Sequence, residues 1–314
     1  MLSRTASHLY WLARYMERAD NLARLLDVSA RLTLLPRAAA QEGLTAILSV
    51  SGMAAAYWST HSTLNANTLL NFMISDTANS SSIYHSLQAA RQNAHAVRGH
   101  ITSETWEAIN TTWIELLGWT KTGVTMRNAP EFFDWIKQRT HIYRGALYGT
   151  VLRDDGFRFM RIGTCLELAD NTLRLLDTKF QMIDLAADAP KDDAQIRAEY
   201  LWQTLLQALG AREAYTQIYS YILEASNVID LLVLRDDVPR SLLACLDELT
   251  EALADLEGPN GKPAKRLAGE FYARVRYGDL DEILSTGPHT WLTDAIGDVA
   301  ALASHVQTAY LEVA

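Results

Sequence analysis

The feature that most restricts how this chain can fold is that its second half repeats its first. Leu12–Asp27 aligns without a gap on Ile162–Asp177 at a constant offset of 150, pairing Glu17, Asp20, Asn21 and Arg24 with Glu167, Asp170, Asn171 and Arg174. Further along, Ile47-Leu48 with Gly52 and Ala56-Tyr57 matches Leu205-Leu206 with Gly210 and Ala214-Tyr215 at an offset of 158. Ser82-Ile83 followed by Leu87 matches Ser241-Leu242 followed by Leu246 at an offset of 159. Three blocks in one order, drifting by a small insertion, point to a duplicated unit. A period this long means two equivalent bundles and not a solenoid, whose repeats are far shorter.

Each copy opens on a helical signal. Leu9, Leu12, Met16, Ala19, Ala23, Leu26 and Ala30 step by three and four, as do Phe159, Ile162, Leu166, Ala169, Leu173, Leu176 and Phe180. That spacing is the seam of a long helix packed on neighbours. Sixteen glycines and seven prolines in 314 residues leave long uninterrupted elements between them, and a 49% hydrophobic composition supplies a core. The pattern predicts helices over 5–34, ending at Pro36, and over 41–57. A polar loop at 59–67 and a short apolar stretch, Leu69–Ile74, follow. Further helices are expected after Asn79–Ser82, after Ser103 as cap, and over 131–148, with Gly118 and Gly123 marking a break. In the second half, Asp192 with Gln195 reads as a capping box for a helix reaching past Tyr215, and Asp237 as the cap of a helix beginning at Val238-Pro239. A linker at Gly258–Pro263 precedes helices over 267–277, 279–284 and 291–310. Period-two runs of β-branched residues are missing, so no strand is expected. The expected fold is all-α: two tandem, diverged helical-bundle repeats, 1–150 and 151–314, related by a pseudo-twofold and packed as one unit over 1–314.

A net charge of −9 and a pI near 5.4 disfavour nucleic acid and anionic membrane surfaces as partners, since both require basic clusters. Cys165 and Cys245 lie inside helical patterns with no ligand spacing, as core residues of a reducing compartment do. With no signal peptide and no bilayer-length apolar run, the expected location is the cytoplasm.

Arg14, Glu17, Asn21 and Arg24 share one helix face, flanked by Arg18 and Asp20, and Glu167, Asn171 and Arg174 form the matching face with Asp170 beside it. Three readings of these faces stand open. They form a structural ion-pair network joining the long helices. Or they make a polar pocket for an amino-acid-like or carboxylate ligand, with guanidinium groups gripping a carboxylate and glutamates an amine. Or Glu17, Asp20, Glu167 and Asp170 hold metal as dimetal bundles do, although the Glu-x-x-His pairs of that class are absent. Arg153-Asp154-Asp155 and Arg235-Asp236-Asp237 precede helices, where aspartate caps are common, with Arg4 and Arg153–Asp155 kept as secondary ligand candidates. No nucleophile elbow, P-loop or dinucleotide glycine pattern occurs, so no cofactor is expected on this chain.

The run Leu2–Ala6, Leu9–Leu12 and Arg14–Asn21 resembles the start of the bacterial alpha-E family. Leu152–Gly156, Asn79–Ile83, Ser103–Glu107 and Pro239–Ser241 resemble further blocks of it, so the likeness covers nearly the whole chain. Thr164 and Leu168 stand where that family's second copy carries arginines, and Ser80 where it carries proline. The resemblance implies a partner, a circularly permuted ATP-grasp protein, which would hold ATP and Mg and join a carboxylate to an amine through an acyl phosphate. This chain would then be an accessory or half-site subunit of an amide or peptide ligase, the amino-acid or peptide substrate lying on its charged face. A stand-alone metal or carboxylate enzyme and a purely structural scaffold are the alternatives.

Overall fold

The computed structural model describes residues 1–32, 37–76, 78–184, 191–258 and 260–312, except for the side chains at 29–32, 37–40, 42, 184 and 191–193. Every regular element among the described residues is helical, in fifteen α-helices and two single π-turns. They form two compact units, Met1–Thr164 and Cys165–Ala314.

In the first unit, α1 (Ser3–Leu32) packs along α5 (Ile83–Ala96) and α7 (Ala129–Thr150), and α6 (Ser103–Thr122) closes a four-helix ring by packing on both. The short helices α2 (Arg37–Val50), α3 (Ala54–Thr60) and α4 (Ala66–Ile74) add to the α1 side of this ring. The seam Leu9, Leu12, Met16, Ala19, Ala23 and Leu26 is buried, and so are Tyr10, Ala13, Leu22 and Leu25 around the other faces. A helix enclosed on that many sides is a central one, and any charge it carries must be matched by a neighbour.

The second unit takes most of α8 (Asp155–Asp184), then α9 (Lys191–Leu209), α10 (Arg212–Tyr219), α11 (Ala225–Ile229) with a π-turn, α12 (Leu242–Ala254), α13 (Lys262–Arg276), α14 (Leu280–Thr286) and α15 (Pro288–Val306) with a second π-turn. Here α12 packs on α13, and α13 on α15. The α8 seam from Leu166 to Phe180 is buried. This helix is tied to α12 by Cys165 Sγ–H donating to Glu248, to the segment before α12 by the Thr172 hydroxyl donating to the Arg240 carbonyl (2.9 Å), and to α15 by Asp177 with His289 (2.5 Å). Cys165 and Cys245 are both buried free thiols.

Two helices that periodicity reads as continuous are broken. The expected 41–57 helix stops at Val50, because Gly52 takes φ +67 and the Met53 N–H returns five residues to the Leu48 carbonyl (3.0 Å). The helix expected to run past Tyr215 stops at Leu209 in the same way: Gly210 has φ +65, and the Ala211 N–H reaches the Leu206 carbonyl (2.8 Å). Both are Schellman endings, which need a left-handed residue that glycine supplies without strain. In each case a buried tyrosine follows and pins the next loop, with Tyr57 Oη donating to the Thr63 carbonyl and Tyr215 Oη to the Ile222 carbonyl, both at 2.8 Å.

Other expectations shift by a turn. Gly118 does not interrupt α6, which runs on to Thr122, and its N-cap is Thr102, whose hydroxyl accepts from the Thr105 N–H; Ser103 is already helical. Asp237 caps nothing. It pairs with Arg235 (2.5 Å), and Ser241 caps α12 by accepting from the Ala244 N–H (3.0 Å). Lys262 and Pro263, read as linker, begin α13, where proline suits the first turn. Ser82 does cap α5, and Asp154 accepts from the Phe157 N–H at the start of α8. The side chain of Asp192, expected as a cap, and the stop expected at Pro36 fall outside what the structure describes.

Gly163, near the start of α8, lies against α1 so closely that an added Cβ would sit 2.4 Å from the Tyr10 carbonyl oxygen. Gly163→Ala is therefore expected to destabilise the chain by about 1–3 kcal/mol despite alanine's better helix propensity, because backbone has to move. Gly118→Ala, with nothing within 4 Å of its added methyl, is expected to stabilise by about 0.5–1 kcal/mol. Chemical denaturation of the two variants reads opposite signs.

Candidate functional site

Glu17 and Asp20 stand one helical turn apart on α1 and are 1% and 0% exposed. Two ionised carboxylates cannot be enclosed without partners, and the partner is Arg144 of α7. Its Nε donates to Glu17 Oε1 (2.9 Å), while one Nη donates both to Glu17 Oε2 (2.5 Å) and to Asp20 Oδ2 (2.8 Å). Asp20 also accepts from Arg24 Nε on its own helix (3.0 Å) and from the Thr140 hydroxyl on α7 (3.1 Å). Lys137, one turn earlier on α7, bonds Asp27 (3.0 Å) and Asp134 (2.6 Å). Lys137, Thr140 and Arg144 thus form a polar row on α7 that meets Asp27, Asp20 and Glu17 on α1, beside the apolar row Phe133, Ile136, Tyr143 and Leu147.

The electrostatics follow from this geometry. Burial works against the Arg144 cation, but Glu17 and Asp20 outweigh it and hold the guanidinium above its ordinary value. Burial likewise works against Lys137, whose hydrogen bonds to Asp134 and Asp27 leave it raised. Tyr143 is enclosed with no hydrogen-bond partner for its hydroxyl, and burial followed by the nearby Glu17 charge pushes its ionisation well up.

The remaining candidates divide around this cluster. Arg14 donates to Tyr10 Oη (3.0 Å), and its guanidinium lies 5.3 Å from the Trp11 ring. Asn21 is buried one residue beyond Asp20. In the second unit, Arg174 Nε bonds Asp170 (2.8 Å) within α8, and that hydrogen bond raises the guanidinium against the effect of partial burial. Glu167 is buried, and Asn171 is half-buried. Helix α15, which bonds Asp177 through His289, carries no arginine or lysine. Arg4 and Arg153 are exposed, and Arg153 leans on Phe157. Asp154 is the α8 cap described above, and Asp155 pairs with Arg158 (3.5 Å).

Thr140, Lys137 and Arg144 are the members that sequence reasoning misses. Their only local signal is the polar row at positions 137, 140 and 144, next to an apolar one on the same helix. In this arrangement the carboxylate oxygens of Glu17 and Asp20 are engaged by guanidinium and hydroxyl donors. Among the described residues no group of three or more histidine, cysteine, aspartate or glutamate side chains is placed to hold a metal ion. None of the described helices is long and apolar enough to cross a membrane.

The model of the Alpha-E family, described as a predicted alpha-helical domain with a conserved ER motif, matches residues 1–311. Neither the curated proteins nor the solved structures hold a match to the chain. The chain contains one Glu-Arg dipeptide, Glu17-Arg18, and the aligned pair in the second half reads Glu167-Leu168. The two members of that dipeptide point differently: Glu17 faces the Arg144 clamp, while Arg18 is half-buried, with its guanidinium 5.5 Å from the Tyr15 ring.

Proposed function

Because the chain belongs to the Alpha-E family, we propose that it serves as the helical partner subunit of a circularly permuted ATP-grasp ligase, supporting amide or peptide bond formation without supplying the reacting groups. The observation that carries this reading is the state of Glu17. A catalytic or substrate-binding carboxylate needs an oxygen that its target can approach to hydrogen-bond distance. Both oxygens of Glu17 are bound by Arg144 of the same chain, and the Glu17 side chain is only 1% exposed. Of the three readings of the charged face, this geometry favours the ion-pair network. The chemistry then falls to the partner, which brings ATP and Mg, and this chain contributes a shaped helical surface.

The same reading makes the chain a duplicated unit whose copies have diverged in role. It is supported by the aligned blocks, by the matching Schellman endings at Gly52 and Gly210, and by the serine caps Ser82 and Ser241. Divergence is supported by Thr164 and Leu168, which stand opposite Arg14 and Arg18 in the aligned blocks.

The test is ATP turnover by the cognate ATP-grasp protein with amino-acid substrates, with and without this chain. Stable co-purification and a rise of about tenfold or more in turnover are expected. Turnover indifferent to the chain contradicts the partner role.

A further inference from the structure

Outside the charged cluster, the second unit holds a cavity of about 210 Å³ between α9, α10 and the loop that follows. Leu206 and Tyr215 line its buried part. Glu199 and Gln203 reach it from one face of α9, Arg212 and Thr216 from one face of α10, and Ser220 and Tyr221 from the loop. The cavity therefore carries one cation, one anion, hydroxyl groups and an apolar wall.

Three observations set it apart from ordinary surface. Arg212 has no carboxylate partner among the described residues; with the Gln203 amide turned so that its oxygen faces the guanidinium, that oxygen accepts from both Nη atoms (2.9 and 3.2 Å) and aims the group without neutralising it. Among the described residues Glu199 is bonded only by Gln195 (3.3 Å) and has no cationic partner. Ser220 takes φ +70 and ψ −155, a region essentially reserved for glycine, and it is the only non-glycine residue with positive φ among the described ones. Such backbone persists only where its surroundings hold it, and it concentrates at ligand-contacting loops. Here the holding group is Tyr215, whose hydroxyl donates to the Ile222 carbonyl and accepts from the Glu224 N–H (3.1 Å), fixing the loop on both sides.

The fold itself does not call for these charges. At the positions 158 residues earlier, the first unit builds the same helix, Schellman ending, second helix and tyrosine-pinned loop with Gln41, Thr45 and Ala54 in place of Glu199, Gln203 and Arg212.

We propose that this cavity binds a small zwitterion of the α-amino-acid class, its carboxylate on Arg212 and its ammonium on Glu199, with the side chain toward Leu206 and Tyr215. A guanidinium offers paired N–H donors to a carboxylate, and an unmatched carboxylate beside it selects against ligands lacking a cation. The proposal concerns this chain alone and stands apart from the ligase-partner reading, because its test needs no second protein.

The experiment is titration calorimetry of the purified chain with L-alanine, L-serine and L-glutamine at millimolar concentration, with propionate and propylamine as single-charge controls. At least one amino acid is expected to bind saturably, about tenfold or more tighter than either control, and Arg212→Gln and Glu199→Gln should each weaken it by about tenfold. Both replaced residues are exposed at the cavity rim, so the variants keep the fold. The proposal is overturned if no amino acid binds saturably, if propionate binds as tightly, or if neither substitution changes the affinity.

Discussion

Replacing Arg144 by methionine is expected to lower the stability of the chain by about 3–5 kcal/mol, the cost of leaving a buried carboxylate without its counter-charge. Glu17 would lose every bonded donor described for it, while Asp20 would keep Arg24 and Thr140. Methionine preserves most of the stem packing, so the loss reports charge and not volume. The control is Arg174→Met. It breaks the Asp170–Arg174 pair, which repeats Asp20–Arg24 in sequence, but both partners there are substantially exposed, at 27% and 40%. A solvent-screened pair within one helix is worth about 0.3–0.5 kcal/mol, so Arg174→Met should cost no more than that order. Urea unfolding of the two variants checks the contrast. A small effect at Arg144 would mean that water and side-chain movement satisfy Glu17 readily, and that the cluster is no lock.

Lys179→Met is expected to act in the opposite direction, raising stability at pH 7 by about 3 kcal/mol. Lys179 lies on α8, only 8% exposed, and burial lowers its ammonium from 10.5 to about 8. Between about pH 8 and 10.5 the unfolded chain holds a proton that the folded chain has released, so native stability rises with pH across that window. Below about pH 8 both states are protonated and the full burial penalty stands; above about 10.5 neither is, and it vanishes. Lys179→Met removes the penalty and the pH dependence together. Its advantage should be largest at pH 7, shrink from about pH 8 upward, and disappear near pH 10.5. Thermal midpoints of the two proteins across that range test this, and parallel curves would contradict it.

The sequence carries the helical architecture because the seams on α1 and α8 are periodic, and periodicity is local information. Each predicted seam residue of the two, Ala30 apart, is buried, and Ala30 lies outside the described side chains. Caps were legible where a serine or aspartate stood three residues before its N–H partner, as at Ser82 and Asp154. The stops at Gly52 and Gly210 were not, because a lone glycine inside an apolar period reads equally as a tolerated helix residue; only its positive φ distinguishes a Schellman ending. The face holding Glu17, Asp20 and Arg24 follows from spacing alone. Its completion by Arg144 does not, since Arg144 lies 127 positions beyond Glu17 and no period links them. The aligned blocks predict matching faces on α1 and α8. The α7 side chains that meet the α1 face lie outside the aligned blocks, so the alignment carries no information about them.

In the proposed partner role, Glu17 of the Glu-Arg pair holds the fold together and the ligase supplies the reacting groups. The most direct measurement is ATP turnover by the cognate ATP-grasp protein in the presence of the double variant Glu17→Met/Arg144→Met, after circular dichroism establishes that it is folded. Removing both partners together deletes the buried pair without stranding a charge at Glu17, so the double variant should fold better than Arg144→Met alone. This folded variant is expected to support turnover within about twofold of the native chain. A folded double variant that binds the ligase yet fails to support turnover would contradict it, and would place Glu17 in the reaction.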